Sequence, residues 1–139
     1  MTDQAIIRRC GNGSMSGIWK DSEDCYPLAR PERMTGLVIV DFERSELFLG
    51  ETRFTPDKRR YTEGTWLDWS KRLRGVAPHA IKYGAYLIAF EGRRSACSKP
   101  AGELNGYGHM QEYRDLAIVD HLISWKQVAR LPDPFKSNR

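Results

Sequence analysis

The residue types best suited to chemistry gather in one stretch, Gly106-Tyr107-Gly108-His109-Met110-Gln111-Glu112-Tyr113, which joins an imidazole, a carboxylate and two phenols in a glycine-flexed segment. An imidazole titrates near neutral pH and a carboxylate can hold its tautomer. His109 is therefore a candidate general base, Glu112 or Asp115 its partner, and Tyr107 a hydroxyl at the same centre. That set would describe a small hydrolase-like enzyme. The plainer expectation is structural: the glycines permit a turn, and Tyr107 and Tyr113 pack their rings while their hydroxyls bond backbone groups. Between the two lies binding, with Tyr107, His109 and Tyr113 as ligand contacts on a loop.

The other reactive side chains carry weaker patterns. His121 falls inside an apolar run, where an imidazole is more often a core or rim side chain than a ligand, and His79 follows Pro78 in a turn. Cys10, Cys25 and Cys97 form no C-x-x-C pair and have no flanking His of zinc-site spacing, so neither a metal nor a cofactor is expected. Cys97 lies between Arg93-Arg94 and Lys99, where positive charge favours a thiolate, yet a nucleophile also needs a base that the sequence cannot supply. Cys10 and Cys25 could close a short loop in an oxidising compartment and would be free thiols in a reducing one. No H-E-x-x-H, G-x-S-x-G or G-x-x-x-x-G-K run occurs. Gly106-Tyr107-Gly108 lacks the preceding strand and the third glycine of a dinucleotide fingerprint.

Charge points to the middle of the chain. The 139 residues carry a formal charge of +4, but residues 51–100 hold eleven Lys and Arg against five acids. An anionic partner would be met there, although Lys and Arg stems covering apolar surface explain the same pattern. Arg59, Arg60 and Arg72 interleave with Tyr61, Trp66 and Trp69, the combination that single-stranded nucleic acid requires for phosphate contact and base stacking. Trp66 and Trp69 also fit a core stripe. Arg93 and Arg94, at the end of a strong strand, would sit on the rim of a barrel.

These residues must be positioned by short elements. The β-branched run at 35–42 and the apolar run at 46–50, parted by Glu43-Arg44-Ser45, read as a hairpin. Residues 83–92 form a strand with Tyr86, Ile88 and Phe90 on one face and Leu87 and Ala89 on the other, covered on both sides. Residues 116–125 fit either period, and their β-branched content favours a strand over a helix. Residues 4–9 and 16–20 read as a further N-terminal hairpin. The spacing of Trp66, Trp69 and Leu73 at i, i+3 and i+7 predicts a helix over 65–73, ending before Gly75. Residues 93–112 have no apolar period and read as a long loop.

A chain of this length is one domain, with 1–130 as a single β-rich unit and 131–139 as an extended tail. Several short strands and one short helix predict a mainly β fold, a small antiparallel β-barrel of OB-like form, with an α+β roll as the alternative. The start Met1-Thr2-Asp3-Gln4 is not a leader, and no apolar run reaches the roughly 18 residues of a membrane span. A soluble, cytoplasmic protein is expected, or a periplasmic one if a leader has been removed. Small sheets leave edges that a partner can pair with, and the oligomeric state stays open.

The elements Val-Asp-Phe-Glu-x-Ser at 40–45, Phe-Glu-Gly-Arg-Arg-Ser at 90–95 and Gly-Tyr-Gly-His-Met-x-x-Tyr at 106–113 resemble those of small uncharacterised bacterial proteins. Those proteins carry Gly-Arg-Arg-Ser, then Tyr-Gly-His, then Val-Asp-x-x-x-Ser. The resemblance implies a β-rich domain of bacterial origin and no particular activity. The sequence as a whole thus reads as a non-enzymatic binding module for an unknown ligand. Its contact face combines the 93–113 loop (Arg93, Arg94, Tyr107, His109, Tyr113) with a basic face (Arg59, Arg60, Arg72). A protein or small-molecule partner is favoured, with a single-stranded nucleic-acid module and the His109-centred enzyme as alternatives.

Overall fold

The computed structural model describes residues 26–41, 44–55, 64–73, 82–98, 107 and 113–132. Five strands occur in it: β1 (Glu32–Asp41), β2 (Arg44–Leu49), β3 (Thr65–Trp69), β4 (Gly84–Arg94) and β5 (Asp115–Arg130), with a 3-10 turn at Lys71–Leu73. They close into a barrel in the order β1-β2-β3-β5-β4, with β1 completing the ring by pairing with β4. All neighbours are antiparallel except β3 and β5, which run parallel. The expected mainly β barrel is therefore the fold, and no α-helix occurs among the described residues. The N-terminal hairpin at 4–9 and 16–20, and Cys10 and Cys25, lie outside them.

Alternation of side chains builds the core. Met34 and Val38 of β1, Leu47 of β2, Leu67 of β3, Ile88 and Phe90 of β4, and Ala117 and Val119 of β5 fill the barrel interior. The other face of β1 and β4 is covered over part of its length, while Thr35 and Glu91 on it stay exposed. Leu37, Ile39 and Ala85 pack outside the barrel with Leu131, Phe48 and Phe54. This is why β1 and β4 read as apolar on both faces: over that part each is covered on both.

Two boundary expectations change. Arg44 and Ser45 are not a break between strands but the start of β2, paired with Asp41 and Val40. Arg44 donates from Nε and Nη2 to Glu46 Oε1 at 3.0 and 2.8 Å, and Glu46 Oε2 accepts the Gly64 amide at 3.1 Å. Residues two apart share a strand face, so this buried pair is compatible only with extended backbone. Similarly, Arg93 and Arg94 are the last two residues of β4, paired with Ile118 and Ala117, and the loop begins only at Ser95.

The predicted helix over 65–73 is a correction. Residues 65–69 form strand β3, and only Lys71–Leu73 makes a helical turn, closed by the Leu73 amide on the Ser70 carbonyl at 2.9 Å. Trp66 and Trp69, which a helix would set on one face, lie on opposite faces of the strand. Trp69 packs against the interior core, and Trp66 packs outside against Tyr113. The segment is recruited into the gap between β2 and β5, where its backbone groups gain partners on both edges. That tertiary demand overrides a two-turn amphipathic pattern, which is marginal as an isolated helix.

β5 is the longest strand and pairs with two partners. Its first five residues match β3, while residues 117–130 run along β4 with three register shifts. At the shift between Glu91 and Gly92, Glu91 pairs with His121 and Gly92 with Val119, leaving Asp120 as the extra residue of a β-bulge. Glycine is required opposite it, because a Cβ on residue 92 would collide with the Ile118 carbonyl oxygen. Gly92→Ala is expected to lower stability by about 1–3 kcal/mol, the usual cost of overpacking a closed interior. Urea denaturation followed by tryptophan fluorescence checks this, and an unchanged midpoint would mean that β4 and β5 separate at no cost.

Candidate functional site

The bulge aims charged side chains outward. Released from regular pairing, the Asp120 carboxylate accepts Nε and Nη2 of Arg93 at 2.8 and 2.7 Å, a two-bond fork. The Asp120 carbonyl oxygen accepts Nη2 of Arg72 at 3.0 Å, and the Val119 carbonyl accepts the Ser70 amide at 2.9 Å. The end of β3 is thereby fastened to the bulge of β5. Around this junction lies a cleft of about 510 Å³, bounded by Pro31 before β1, Ser70–Arg72 after β3, Glu91 and Arg93 on β4, and Asp120 and His121 on β5.

The electrostatics of the cleft are uneven. Its lining holds three cations, Lys71, Arg72 and Arg93, and two carboxylates, Glu91 and Asp120. Arg93 and Asp120 offset each other in their fork. Arg72 bonds only a neutral carbonyl, so its positive charge meets no carboxylate among the described residues. The Ser70 hydroxyl is buried and lacks a hydrogen-bond partner among the described residues. A buried hydroxyl left unbonded costs about 1–3 kcal/mol, and this one belongs to a residue that lines the same cleft as Arg72.

The sequence candidates separate in space. Arg72 and Arg93 meet at the cleft, but strand alternation sends Arg94 to the other face of β4, where it pairs with Glu32 at 2.8 Å. Tyr107 and Tyr113 are buried at 1% and 0% exposure over the first half of β5, clustered with Leu116, Ile118, Tyr26, Leu28 and Trp66. Their backbones form a two-bond bridge at 2.8 and 3.0 Å, and the Tyr107 hydroxyl donates to the Cys97 carbonyl at 2.7 Å. Asp115, the other carboxylate considered for His109, accepts the Ser98 hydroxyl at 2.6 Å. Cys97 itself is exposed and unbridged. His109, Glu112, Arg59 and Arg60 lie outside the described residues.

Sequence reasoning missed Ser70, Lys71, Asp120 and Glu91 as members of one site, and read His121 as a core or rim side chain. A signal was present. Asp120-His121 interrupts the apolar run of the last strand directly after Val119, which is what an outward-turned bulge looks like in sequence. Its partners, however, come from β3 and β4, about 50 and 27 residues away in the chain.

Fold and site together define a small closed β-barrel with a charged cleft on the outer face of its β4–β5 side. Comparison with protein-family models, with curated proteins and with solved structures finds no match. The site's chemistry is accordingly argued from its geometry.

Burial pushes the Tyr107 phenol up from 10.0 to about 12. Between these values the unfolded chain loses a proton that the folded chain keeps, so the contribution is present below pH 10 and lost as pH rises towards 12. Burial raises Tyr26 and Tyr86 as well, and they act in the same direction. The urea midpoint is expected to hold to about pH 9.5 and then fall. Tyr107→Phe should start lower by about 1 kcal/mol, for the lost bond to Cys97, and fall less steeply. Parallel pH profiles for the two proteins would contradict the burial argument.

Proposed function

We propose that this protein is a non-enzymatic binding module, an OB-like barrel that holds an anionic ligand in the cleft between the end of β3 and the bulge of β5. The observation that carries the reading is that one cleft is lined both by Arg72, which among the described residues bonds only a neutral carbonyl, and by Ser70, whose buried hydroxyl has no partner among them. The strand order β1-β2-β3-β5-β4 with β3 parallel to β5 supports the OB-like description. Binding rather than turnover is supported by the Tyr107 hydroxyl, which is committed to a backbone carbonyl, and by Asp115, which is committed to Ser98. Tyr107 and Tyr113 pack on the same strand, over Leu116 and Ile118. A small molecule or a protein segment bearing negative charge fits such a surface.

Thermal unfolding with citrate, inorganic phosphate and a phosphorylated sugar at low salt tests this. A saturable rise in Tm for at least one anion is expected, and it should vanish in the Lys71→Ala/Arg72→Ala double variant. A Tm unmoved by every anion would overturn the reading.

The strand order also favours a second reading, a single-stranded nucleic-acid module, since OB-type barrels bind oligonucleotides on their outer strands and loops. Here Lys71, Arg72 and Arg93, which line one cleft, would meet phosphates. Fluorescence polarisation with a short single-stranded oligonucleotide separates the two readings. For about three phosphate contacts, affinity should fall roughly 20-fold between 50 and 200 mM salt. Absence of binding at the lower salt would leave the small-ligand reading alone.

A further inference from the structure

Arg93 and Asp120 are spent on each other, so the chemistry left in the cleft belongs to two walls. On the β3 side are the Arg72 guanidinium and the buried Ser70 hydroxyl, unbonded among the described residues. On the β4 side is Glu91, an exposed carboxylate directly across the ladder from His121. A cleft with a guanidinium and a hydroxyl on one wall and a carboxylate on the other is poorly matched to a simple anion, which Glu91 would repel. It matches a ligand that is anionic at one end and offers hydroxyl donors at the other.

We propose that the cleft is a subsite for a phosphorylated sugar. The phosphoryl oxygens face Arg72 and the Ser70 hydroxyl, and the ring hydroxyls donate to Glu91. Four features support a phosphorylated sugar. Arg72 already gives one Nη2 hydrogen to the Asp120 carbonyl, which holds the guanidinium plane while leaving donors on its remaining nitrogens. A tetrahedral group with three acceptor oxygens can take such a fork and a hydroxyl proton at once, whereas a planar carboxylate has only two. The volume, about 510 Å³, suits a group of this size, because ligand pockets run from about 300 to 1,000 Å³. A hydroxylated neighbour gives Glu91 protons to accept in place of a like charge, the role that acidic side chains play against ribose hydroxyls in nucleotide sites.

This inference rests on the anion-binding reading above, and the test separates their failures. Isothermal titration of the full chain would use ribose 5-phosphate, inorganic phosphate, ribose and citrate as probes. Ribose 5-phosphate should bind at least tenfold more tightly than inorganic phosphate, and ribose should not bind. Arg72→Gln should weaken ribose 5-phosphate at least tenfold, and Ser70→Ala about threefold. Glu91→Gln is the distinguishing variant: it should tighten inorganic phosphate by relieving repulsion while weakening ribose 5-phosphate. Far-UV circular dichroism verifies that each variant keeps its strands.

Citrate binding as tightly as ribose 5-phosphate, with both lost in Arg72→Gln, would overturn the phosphorylated-sugar proposal and leave the anion-binding reading standing. No binding by any probe would overturn both. Adenosine 5′-monophosphate, added as a further arm, distinguishes sources of the same chemistry. Tighter binding than ribose 5-phosphate assigns the site to nucleotides, and equal binding assigns it to free sugar phosphates, either result supporting the proposal.

Discussion

The constraint on which the barrel depends is that one strand must satisfy two partners running in different directions. β5 pairs in parallel with β3 over its first five residues and antiparallel with β4 from Ala117 to Arg130. A regular strand cannot keep both registers as the sheet coils. The conflict is absorbed by inserting Asp120 opposite Gly92, where the backbones come too close for any Cβ. Two further register shifts, after Ala85 and after Ala89, continue the bend along the second half of the hairpin.

The functional consequence follows from the same distortion. A bulge turns the carbonyl and side chain of its extra residue out of the ladder, so that Asp120 can receive Arg93 by its carboxylate and Arg72 by its carbonyl. The closing device of the barrel and the organising residue of the cleft are therefore one residue. A ligand bound there would sense the β3–β5 junction directly, since Ser70 and Arg72 are tied to Val119 and Asp120.

Coverage of the outer faces explains why so small a barrel carries so many aromatics. Tyr107 and Tyr113 press on Trp66, Leu116 and Ile118, while Phe48, Phe54 and Leu131 cover Leu37 and Ile39. At the mouth, Trp125 stacks on Tyr86 with centroids 4.3 Å apart and meets Trp69 at 5.7 Å. Tyrosine and tryptophan suit these places because one edge packs while a polar atom reaches a partner, as the Tyr86 hydroxyl does at the Lys82 carbonyl.

The strands at 35–42, 83–92 and 116–125 were legible because period-two alternation and β-branched content are local properties of the chain. So was the packing role of the 107 and 113 tyrosines, since a large phenol ring gains most from burial against apolar neighbours. The 65–73 segment was misread because its local pattern is helical, and only neighbours more than fifteen residues away along the chain make it a strand. Arg72 and Arg93 were visible as basic residues, but not as neighbours, and Arg94 was indistinguishable from Arg93 until alternation along β4 divided them. By itself the sequence determined which residues alternate inward and how much apolar surface must be covered, because those depend on residue type and spacing. The tertiary structure alone decided register, closure and the meeting of Ser70, Arg72, Glu91 and Asp120. These arise from where β5 must bulge to serve two partners, a demand that no local window of sequence contains.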